Sequence, residues 1–309
     1  MCCLHFRKDD VKHMSRHPPI ITRLQGGLGN QLYQYAVGRS LALRLQRPLF
    51  IDARTILPDM PARHFDLGAF KIEAELVTGL SAFCTRWVGS NRMGRLVNTA
   101  FPPARSYRYI RDRQEGFDGA IFSQHDGPIV LHGYWQSYRY FEEIAEWLRR
   151  DLTFRRAPSA ENSSFIRQIE SCASVCVHVR RGDYVTSPVI SRSLGTCGIP
   201  YYQAAALFLA SRVMNPKFFV FSDDPEWAQD NLELPGQMVA IKHNLGTVDV
   251  EDLRLMQHCK HFIIANSSFS WWGAWLSVAP GKTVIAPSQW FRQDRSPSED
   301  RIPSSWVRI

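Results

Sequence analysis

Long apolar runs are missing from this sequence. No stretch approaches the ~18 consecutive apolar residues that a membrane-spanning helix needs. The first 18 residues are rich in charge and lack the apolar core of a secretory signal. We therefore expect a disordered tail over residues 1–18 and a cytoplasmic protein.

Closely spaced cysteine pairs are also missing. The chain has 7 cysteines, an odd number, and no Cys-x-x-Cys motif occurs. This pattern argues against both a disulfide framework and a zinc site, and it predicts reduced thiols. There is no internal repeat and no low-complexity segment to suggest a solenoid or a fibrous protein.

Acidic residues are fewer than basic ones. The chain carries 37 Lys and Arg against 29 Asp and Glu, which gives a net charge of +8. A basic balance favours an acidic partner such as a nucleotide, a nucleic acid or an anionic membrane surface. Because the arginines are dispersed, no nucleic-acid partner is expected. A length of 309 residues predicts about two domains.

The first half begins with a strand, a glycine loop and a helix. Residues 19–24 read PIITRL and predict a first strand, residues 25–30 read QGGLGN, and residues 31–44 have helical periodicity. This unit predicts the start of a doubly wound α/β sheet, with a second strand at residues 48–52. Residues 54–122 carry no readable pattern and are expected to form short helices and loops.

A Pro-Ser-Ala cluster at residues 158–160 predicts the domain boundary. We expect a first domain over residues 19–157 and a second over residues 158–290. The second domain contains strands at residues 175–179, 217–222, 261–265 and 283–286, while residues 187–199 are expected to form a loop. Residues 291–309 are expected to return toward the first domain.

One stretch, VCVHVRRGDYV at residues 175–185, combines a buried strand with a charged end. His178 interrupts the apolar run, and Arg180, Arg181 and Asp183 follow it directly. In open α/β sheets, ligands bind at the carboxyl ends of the strands. Arginine grips phosphate with two parallel hydrogen bonds, so this stretch predicts a pocket for a phosphorylated ligand. The alternative is a surface ion pair.

Two further strand ends supply polar groups to the same predicted edge. Asp223 follows one strand, where a carboxylate suits a guanine N–H or a ribose hydroxyl. Asn266, Ser267 and Ser268 follow another and begin a helix at Phe269, whose N-terminus favours phosphate. Simple helix capping explains the serines and the aspartate equally well at this point.

Several blocks of the sequence resemble the α-1,2-fucosyltransferase family of glycosyltransferases. They occur in the family's order and together span most of residues 26–291, with Tyr33 standing where phenylalanine is common. The blocks are HVRRGDYV at 178–185, GGLGNQLYQYAVGRSLA at 26–42, HGYWQS at 132–137, FVFSDDPEW at 219–227, CKHFIIANSSFSWWGAWLS at 259–277 and VIAPSQWF at 284–291.

The resemblance implies an α/β protein of the GT-B type, with two Rossmann-like domains facing a cleft. It implies transfer of L-fucose from GDP-fucose to the 2-hydroxyl of a galactose unit in a glycan, with inversion and without a metal or other cofactor. Two alternatives stay open. One is a transferase that uses another GDP-deoxysugar or forms another linkage, and the other is a non-catalytic GDP- or glycan-binding module.

The predicted donor site combines both domains. Arg180 and Arg181 are expected to stabilise the charge that develops on the β-phosphate, with His178 orienting them or contacting the phosphate. From the first domain, Asn30 is expected to reach the sugar or the β-phosphate. Gly27, Gly29 and Gln31 are expected to line the donor site.

The predicted base and acceptor contacts rest on fewer residues. Asp183 is the only carboxylate in the principal block, so it is the candidate general base, with a structural role or a dissociative mechanism as alternatives. Tyr134, Trp135 and Gln136 follow a first-domain strand and are expected to bind the acceptor.

The spacing of Trp271, Trp272 and Trp275 favours helix packing over a sugar platform. The basic charge suggests peripheral contact with the inner membrane.

Overall fold

A computed structural model describes residues 17–54, 56, 64–77, 107–112, 116–123, 125–193, 195–244, 249–291 and 300–309. The predicted tail lies outside these ranges except for residues 17 and 18, as does most of residues 54–122. The chain divides into two compact units, Met1–Thr153 and Phe154–Ile309.

The first unit is built on a parallel sheet of five strands in the order β3-β2-β1-β5-β4. All of its neighbouring strands run parallel, which is typical of sheets covered on both faces. The strands are β1 (Ile20–Arg23), β2 (Leu49–Asp52), β3 (Glu75–Leu76), β4 (Arg108–Arg111) and β5 (Ile129–His132).

Helix α1 (Leu28–Leu45) packs closely on β1 of this sheet. A Cβ atom at Gly38 would come within 2.2 Å of the Thr22 hydroxyl, so only glycine allows the helix to approach so near. Short 3₁₀ turns at Tyr138–Tyr140 and Glu142–Ile144 lead into α2 (Ala145–Asp151).

A buried polar contact ties α1 to the end of α2. The Tyr35 hydroxyl and the Arg39 Nε both donate to Asp151 Oδ2, at 2.8 and 2.7 Å. Asp151 is only 2% exposed, so this pairing compensates for the burial of its charge.

The second unit contains a parallel sheet of six strands in the order β11-β10-β9-β6-β7-β8. Its central strands are apolar on both faces, which explains why the sequence reads as short continuous apolar runs. The strands are β6 (Ala173–Val179), β7 (Pro216–Ser222), β8 (Gln237–Ile241), β9 (His261–Ile263), β10 (Val284–Ala286) and β11 (Val307–Arg308).

The helices of the second unit alternate with these strands. They are α3 (Ala160–Glu170), α4 (Gly182–Thr186), α5 (Pro188–Ser193), α6 (Ile199–Ala210), α7 (Pro225–Asn231), α8 (Asp249–Gln257) and α9 (Ser268–Leu276). On one face of the sheet, Val177, Val220 and Ile263 form a fully buried cluster with Tyr202 and Leu209 of α6. Pro200 lies in the first turn of α6, where its missing N–H costs nothing.

The structure differs from the sequence expectations at three places. Strand β11 lies in the C-terminal segment that was expected to return toward the first domain, and it pairs with β10 in the second sheet. The segment expected to be a loop at residues 187–199 contains α5. The region without a readable pattern contributes β3 and β4, which are the edge strands of the first sheet.

Candidate active site

The strand order of the second sheet creates a crevice between β6 and β9. Strands β7 and β8 extend from β6 to one side, and β10 and β11 extend from β9 to the other. The carboxyl ends on either side of such a switch point are where open α/β sheets bind ligands. Here those ends lead into Arg180 on one side and Asn266 on the other, with Asp223 at the neighbouring end of β7.

The two arginines at the end of β6 are held by two consecutive aspartates. Arg180 Nη1 lies 3.0 Å from Asp223 Oδ2, and Arg181 Nε lies 3.1 Å from Asp224 Oδ2. The Arg181 guanidinium also stacks 3.8 Å above the Trp227 ring. Because 28% and 23% of the arginine side chains stay exposed, both are positioned yet accessible to an anion.

Asp223 holds the arginine loop together. Its Oδ1 accepts the Arg181 backbone N–H at 2.8 Å, while its other oxygen pairs with Arg180. A Cβ atom at Gly182 would come within 2.6 Å of that second oxygen, so the glycine leaves space for the carboxylate. The structure therefore gives Asp223 a structural role beside its predicted contact with guanine or ribose.

His178 lies beneath this loop with its side chain in the core. The residue is 4% exposed, and its ring centre lies 5.6 Å from that of Phe269. Burial, reinforced by the charge of Arg180, lowers the pKa of His178 to about 3, so the imidazole is neutral at neutral pH. Among the described residues its Nδ1 has no hydrogen-bond partner, which suits a ligand contact.

Helix α9 presents its N-terminus beside the same crevice. Ser267 is the N-cap and accepts the Phe269 N–H at 3.3 Å, so its hydroxyl performs the capping role that was the alternative to phosphate binding. Ser268 and Phe269 are partly exposed at the first turn. Their backbone leaves the positive end of the helix dipole available to an anion.

Asn266 is placed differently from the prediction. The residue is 3% exposed, and its Nδ2 donates to the carbonyl oxygens of Gly195 and Trp290, both at 3.1 Å. Its Oδ1 accepts from the Cys197 thiol at 3.6 Å. The side chain therefore joins two loops, and its predicted contact with the donor is not supported by this geometry.

A pocket of about 320 Å³ adjoins Asn266 at the carboxyl ends of β9, β10 and β11. Of its described lining residues only Asn266 was predicted as a site residue, although residues 287–291 belong to the block at 284–291. The lining residues include Thr196, Tyr201, Ser288, Gln289 and Phe291.

The first sheet has its own switch point, between β1 and β5. Gln34 of α1 joins the two loops that begin there. Its Nε2 donates to the carbonyl oxygens of Gln25 at 3.2 Å and Gly133 at 3.0 Å, and its Oε1 accepts the Gln25 N–H at 2.9 Å. Gln34 is fully buried, so the two loops are fixed to each other and to the helix.

The glycine loop of the first unit is shorter than expected. Gly26 has a φ of 78°, which favours glycine, and Gly27 is the N-cap of α1. Gly29 is buried in the first helical turn, so it does not line a site as predicted. Asn30 Oδ1 accepts from Gln136 Nε2 at 2.7 Å, which links two residues that the sequence had placed in different subsites.

Gln31 also departs from its predicted role. The residue is fully buried, and its Nε2 donates to the carbonyl oxygens of Gly26 at 3.2 Å and His64 at 2.7 Å. Its Oε1 accepts the Asp66 N–H at 3.1 Å. Both ends of the Gln31 amide therefore bond to backbone groups of the protein. The side chain stabilises the glycine loop instead of lining a donor site.

The two aromatic residues of the loop after β5 point in opposite directions. Tyr134 is 48% exposed, whereas Trp135 is 2% exposed and packs edge-on against Tyr140. The expectation that Trp135 stacks on an acceptor is therefore wrong for this structure, because its ring has no free face. Tyr134 remains accessible to a ligand.

Comparison with known proteins identifies the family. The model of glycosyl transferase family 11 matches residues 12–309. The chain belongs to this family. An α-1,2-colitosyltransferase of Escherichia coli is 35% identical over 94% of this chain and 98% of its own length. The galactoside 2-α-L-fucosyltransferase Sec1 of mouse is 26% identical, over 93% of this chain and 71% of its own.

Solved structures agree on the fold. The α-1,6-fucosyltransferase NodZ of Bradyrhizobium, soaked with GDP-fucose, aligns with a TM-score of 0.53 at 15% identity. The alignment covers 87% of this chain and 95% of NodZ. Together with the two parallel sheets, this confirms the predicted GT-B fold for this member of family 11.

Asp183 lies in α4, and its side chain is outside the described part of the structure. In the described ranges no group of three His, Cys, Asp or Glu side chains is placed to hold a metal ion. No described helix combines the length and apolar character that crossing a bilayer requires.

Proposed function

We propose that this chain transfers L-fucose from GDP-fucose to the 2-hydroxyl of a galactoside in a glycan. The observation that carries the proposal is the pair of accessible arginines, Arg180 and Arg181, at the switch point of the second sheet. Their place in a family 11 chain supports a nucleotide diphosphate as the ligand. The linkage and the acceptor rest on the names of the relatives.

The arginines act on the leaving group. Breaking the bond between the sugar and GDP leaves negative charge on the β-phosphate, and preorganised cations there stabilise the transition state. The N-terminus of α9 supplies backbone N–H groups from the other side of the crevice. His178, neutral and with an unsatisfied Nδ1, completes the set of contacts to GDP.

Inversion requires the acceptor hydroxyl to attack from the face opposite GDP. Asp183 is the proposed general base, and Asn30 is proposed to contact the sugar or the β-phosphate. If the transition state is dissociative, the hydroxyl needs little activation and a base contributes less. Tyr134 and Gln136 are the proposed acceptor contacts, with the Tyr134 ring offering its exposed face to the sugar.

A donor and acceptor panel tests the proposal. The purified protein is incubated with GDP-fucose and with lactose or other β-galactosides, and the product linkage is determined by NMR. We expect a fucosyl group on the 2-hydroxyl of galactose. GDP binding without transfer to any β-galactoside would favour a non-catalytic binding module instead.

Independence from a metal is part of the proposal, because the arginines can carry the charge that Mg²⁺ carries in other sugar transferases. Excess EDTA is expected to leave the transfer rate unchanged, with a metal-dependent glycosyltransferase inhibited in parallel as a control. Loss of activity that added Mg²⁺ restores would contradict this part.

A second donor should be tested in the same panel. The relative at 35% identity is named as a colitosyltransferase, and colitose is L-fucose without its 3-hydroxyl. GDP-colitose is therefore the alternative donor. The kcat/KM ratio of the two donors, measured with one acceptor, decides between them.

Peripheral membrane contact rests on charge alone. The net charge of +8 would favour anionic lipid surfaces. Co-sedimentation with anionic vesicles, reversed by salt, is the expected result, and absence from the vesicle pellet at low salt would contradict it.

A further inference from the structure

The loop after β5, residues 132–137, has a support that the sequence did not reveal. Asp112 immediately follows β4, and its backbone N–H donates to the His132 carbonyl at 2.9 Å. Its Oδ2 accepts the Trp135 backbone N–H at 2.8 Å. One residue on a neighbouring strand end therefore holds the loop at two points.

The second of these points is conformationally strained. Trp135 has a φ of 56°, in the left-handed region that bulky residues rarely occupy. Such a conformation persists only where the surroundings enforce it, and it concentrates at binding and catalytic sites. The hydrogen bond from the Trp135 N–H to the Asp112 carboxylate stabilises this conformation directly.

Gly133 allows Asp112 to approach this closely. A Cβ atom at Gly133 would lie 2.1 Å from the Asp112 Cβ and 3.2 Å from its Cα, so any larger residue would displace the aspartate. From the opposite side, Gln34 donates to the Gly133 carbonyl at 3.0 Å. The loop is thus held between Asp112 and α1.

The strained turn determines which of the two aromatic side chains in the loop is exposed to solvent. With Trp135 turned into the core against Tyr140, the preceding residue is directed outward, and Tyr134 is 48% exposed. The same turn leads to Gln136, whose Nε2 donates to Asn30 Oδ1. Both proposed acceptor contacts therefore depend on the backbone conformation at Trp135.

We propose that Asp112 is a positioning residue for the acceptor. By holding Trp135 in its strained conformation, it fixes Tyr134 so that the ring receives the apolar face of the galactoside. This inference rests on the proposed transfer to a galactoside, and it adds a residue outside every motif of the sequence.

The test compares three variants of the full chain in the transfer assay. Asp112→Ala removes the acceptor of the Trp135 N–H, and we expect the acceptor KM to rise roughly tenfold or more while the donor KM is unchanged. Asp112→Asn keeps an oxygen in place and should restore the acceptor KM to within about threefold of wild type. Asp118→Ala is the matched control, because Asp118 also accepts a backbone N–H, from Ala120 at 2.9 Å, but on an exposed turn.

A double-mutant cycle separates positioning from general destabilisation. If Asp112 acts through Tyr134, then Asp112→Ala should add little to the acceptor KM of Tyr134→Ala. Independent, multiplicative effects in the cycle, or an unchanged acceptor KM in Asp112→Ala, would overturn the inference. Failure of the wild type to transfer sugar to any galactoside would instead overturn the proposed function, and this inference with it.

Discussion

A methyl group added at Gly182 should disable the arginine loop without touching either arginine. In the structure, the Cβ of Gly182→Ala would lie 2.6 Å from Asp223 Oδ2. The carboxylate must move, yet it accepts the Arg181 N–H at 2.8 Å and pairs with Arg180 at 3.0 Å. Moving it therefore breaks the contacts that hold the Arg180 side chain and the Arg181 backbone.

The energetic cost of this displacement is the sum of three contributions. Loss of a hydrogen bond to a charged acceptor costs about 1.5–3 kcal/mol. The Arg180 pair is partly exposed and adds no more than about 1 kcal/mol. Alanine regains up to about 1 kcal/mol over glycine at the start of α4. The net loss of stability is about 0.5–4 kcal/mol.

The same displacement should also weaken ligand binding. Misplaced arginines are expected to weaken GDP binding by about tenfold, equivalent to about 1.4 kcal/mol. Titration calorimetry with GDP measures this, with thermal unfolding as the check on folding. Gly198→Ala is the control, because its Cβ would meet nothing closer than the Pro200 Cδ at 3.5 Å. If Gly182→Ala binds GDP within twofold of wild type, the role assigned to Asp223 is wrong.

Two further predictions concern buried charges. Asp151→Ala should reduce the free energy of unfolding by about 3–5 kcal/mol, because it leaves Arg39 buried without its carboxylate. Glu143→Ala is the control, because the ion pair of Glu143 with Arg44 is exposed and its loss should not change the free energy of unfolding measurably. Because the folded pKa of His178 is about 3, below its unfolded value of about 6.5, the unfolded state binds the extra proton between these pH values and stability falls as pH falls. Between pH 6.5 and 5, the free energy of unfolding of His178→Gln should therefore fall by about 2 kcal/mol less than that of the wild type. Denaturant titration at both pH values measures the two losses, and equal losses would refute this prediction.

The central strands were predictable because parallel strands covered on both faces read as short apolar runs. The stretch at residues 175–179 is an example, and β6 includes all of it. The edge strands β3, β4 and β11 were not predictable, because short and partly exposed strands leave no such run. Strand β11 has two residues, Val307 and Arg308, of which one is exposed, so its sequence carries no periodicity. Its place in the sheet is set by pairing with β10.

The candidate site was predictable where charge follows a strand, as at Arg180 and Arg181. It was not predictable for uncharged polar side chains. Gln31 and Asn266 stand in motifs beside a ligand crevice, yet their amides bond to backbone groups of their own unit. Sequence does not distinguish an amide that binds a ligand from one that satisfies a buried carbonyl.

Trp135 shows a different reason why a prediction from the sequence was wrong. A left-handed backbone conformation is expected at glycine or asparagine, so nothing in the sequence indicated that the tryptophan would turn inward. The conformation depends on Asp112, which comes from a different strand and lies outside the recognisable motifs.

The most direct test of the central claim is the affinity of Arg180→Ala for GDP. Arg212→Ala is the matched control, since Arg212 is exposed and stacks on Phe208 rather than lying at a strand end. We predict that GDP binding to Arg180→Ala weakens at least tenfold by calorimetry, while Arg212→Ala binds as wild type does. Equal GDP affinity in all three proteins would contradict the assignment of the β6 arginines to the diphosphate.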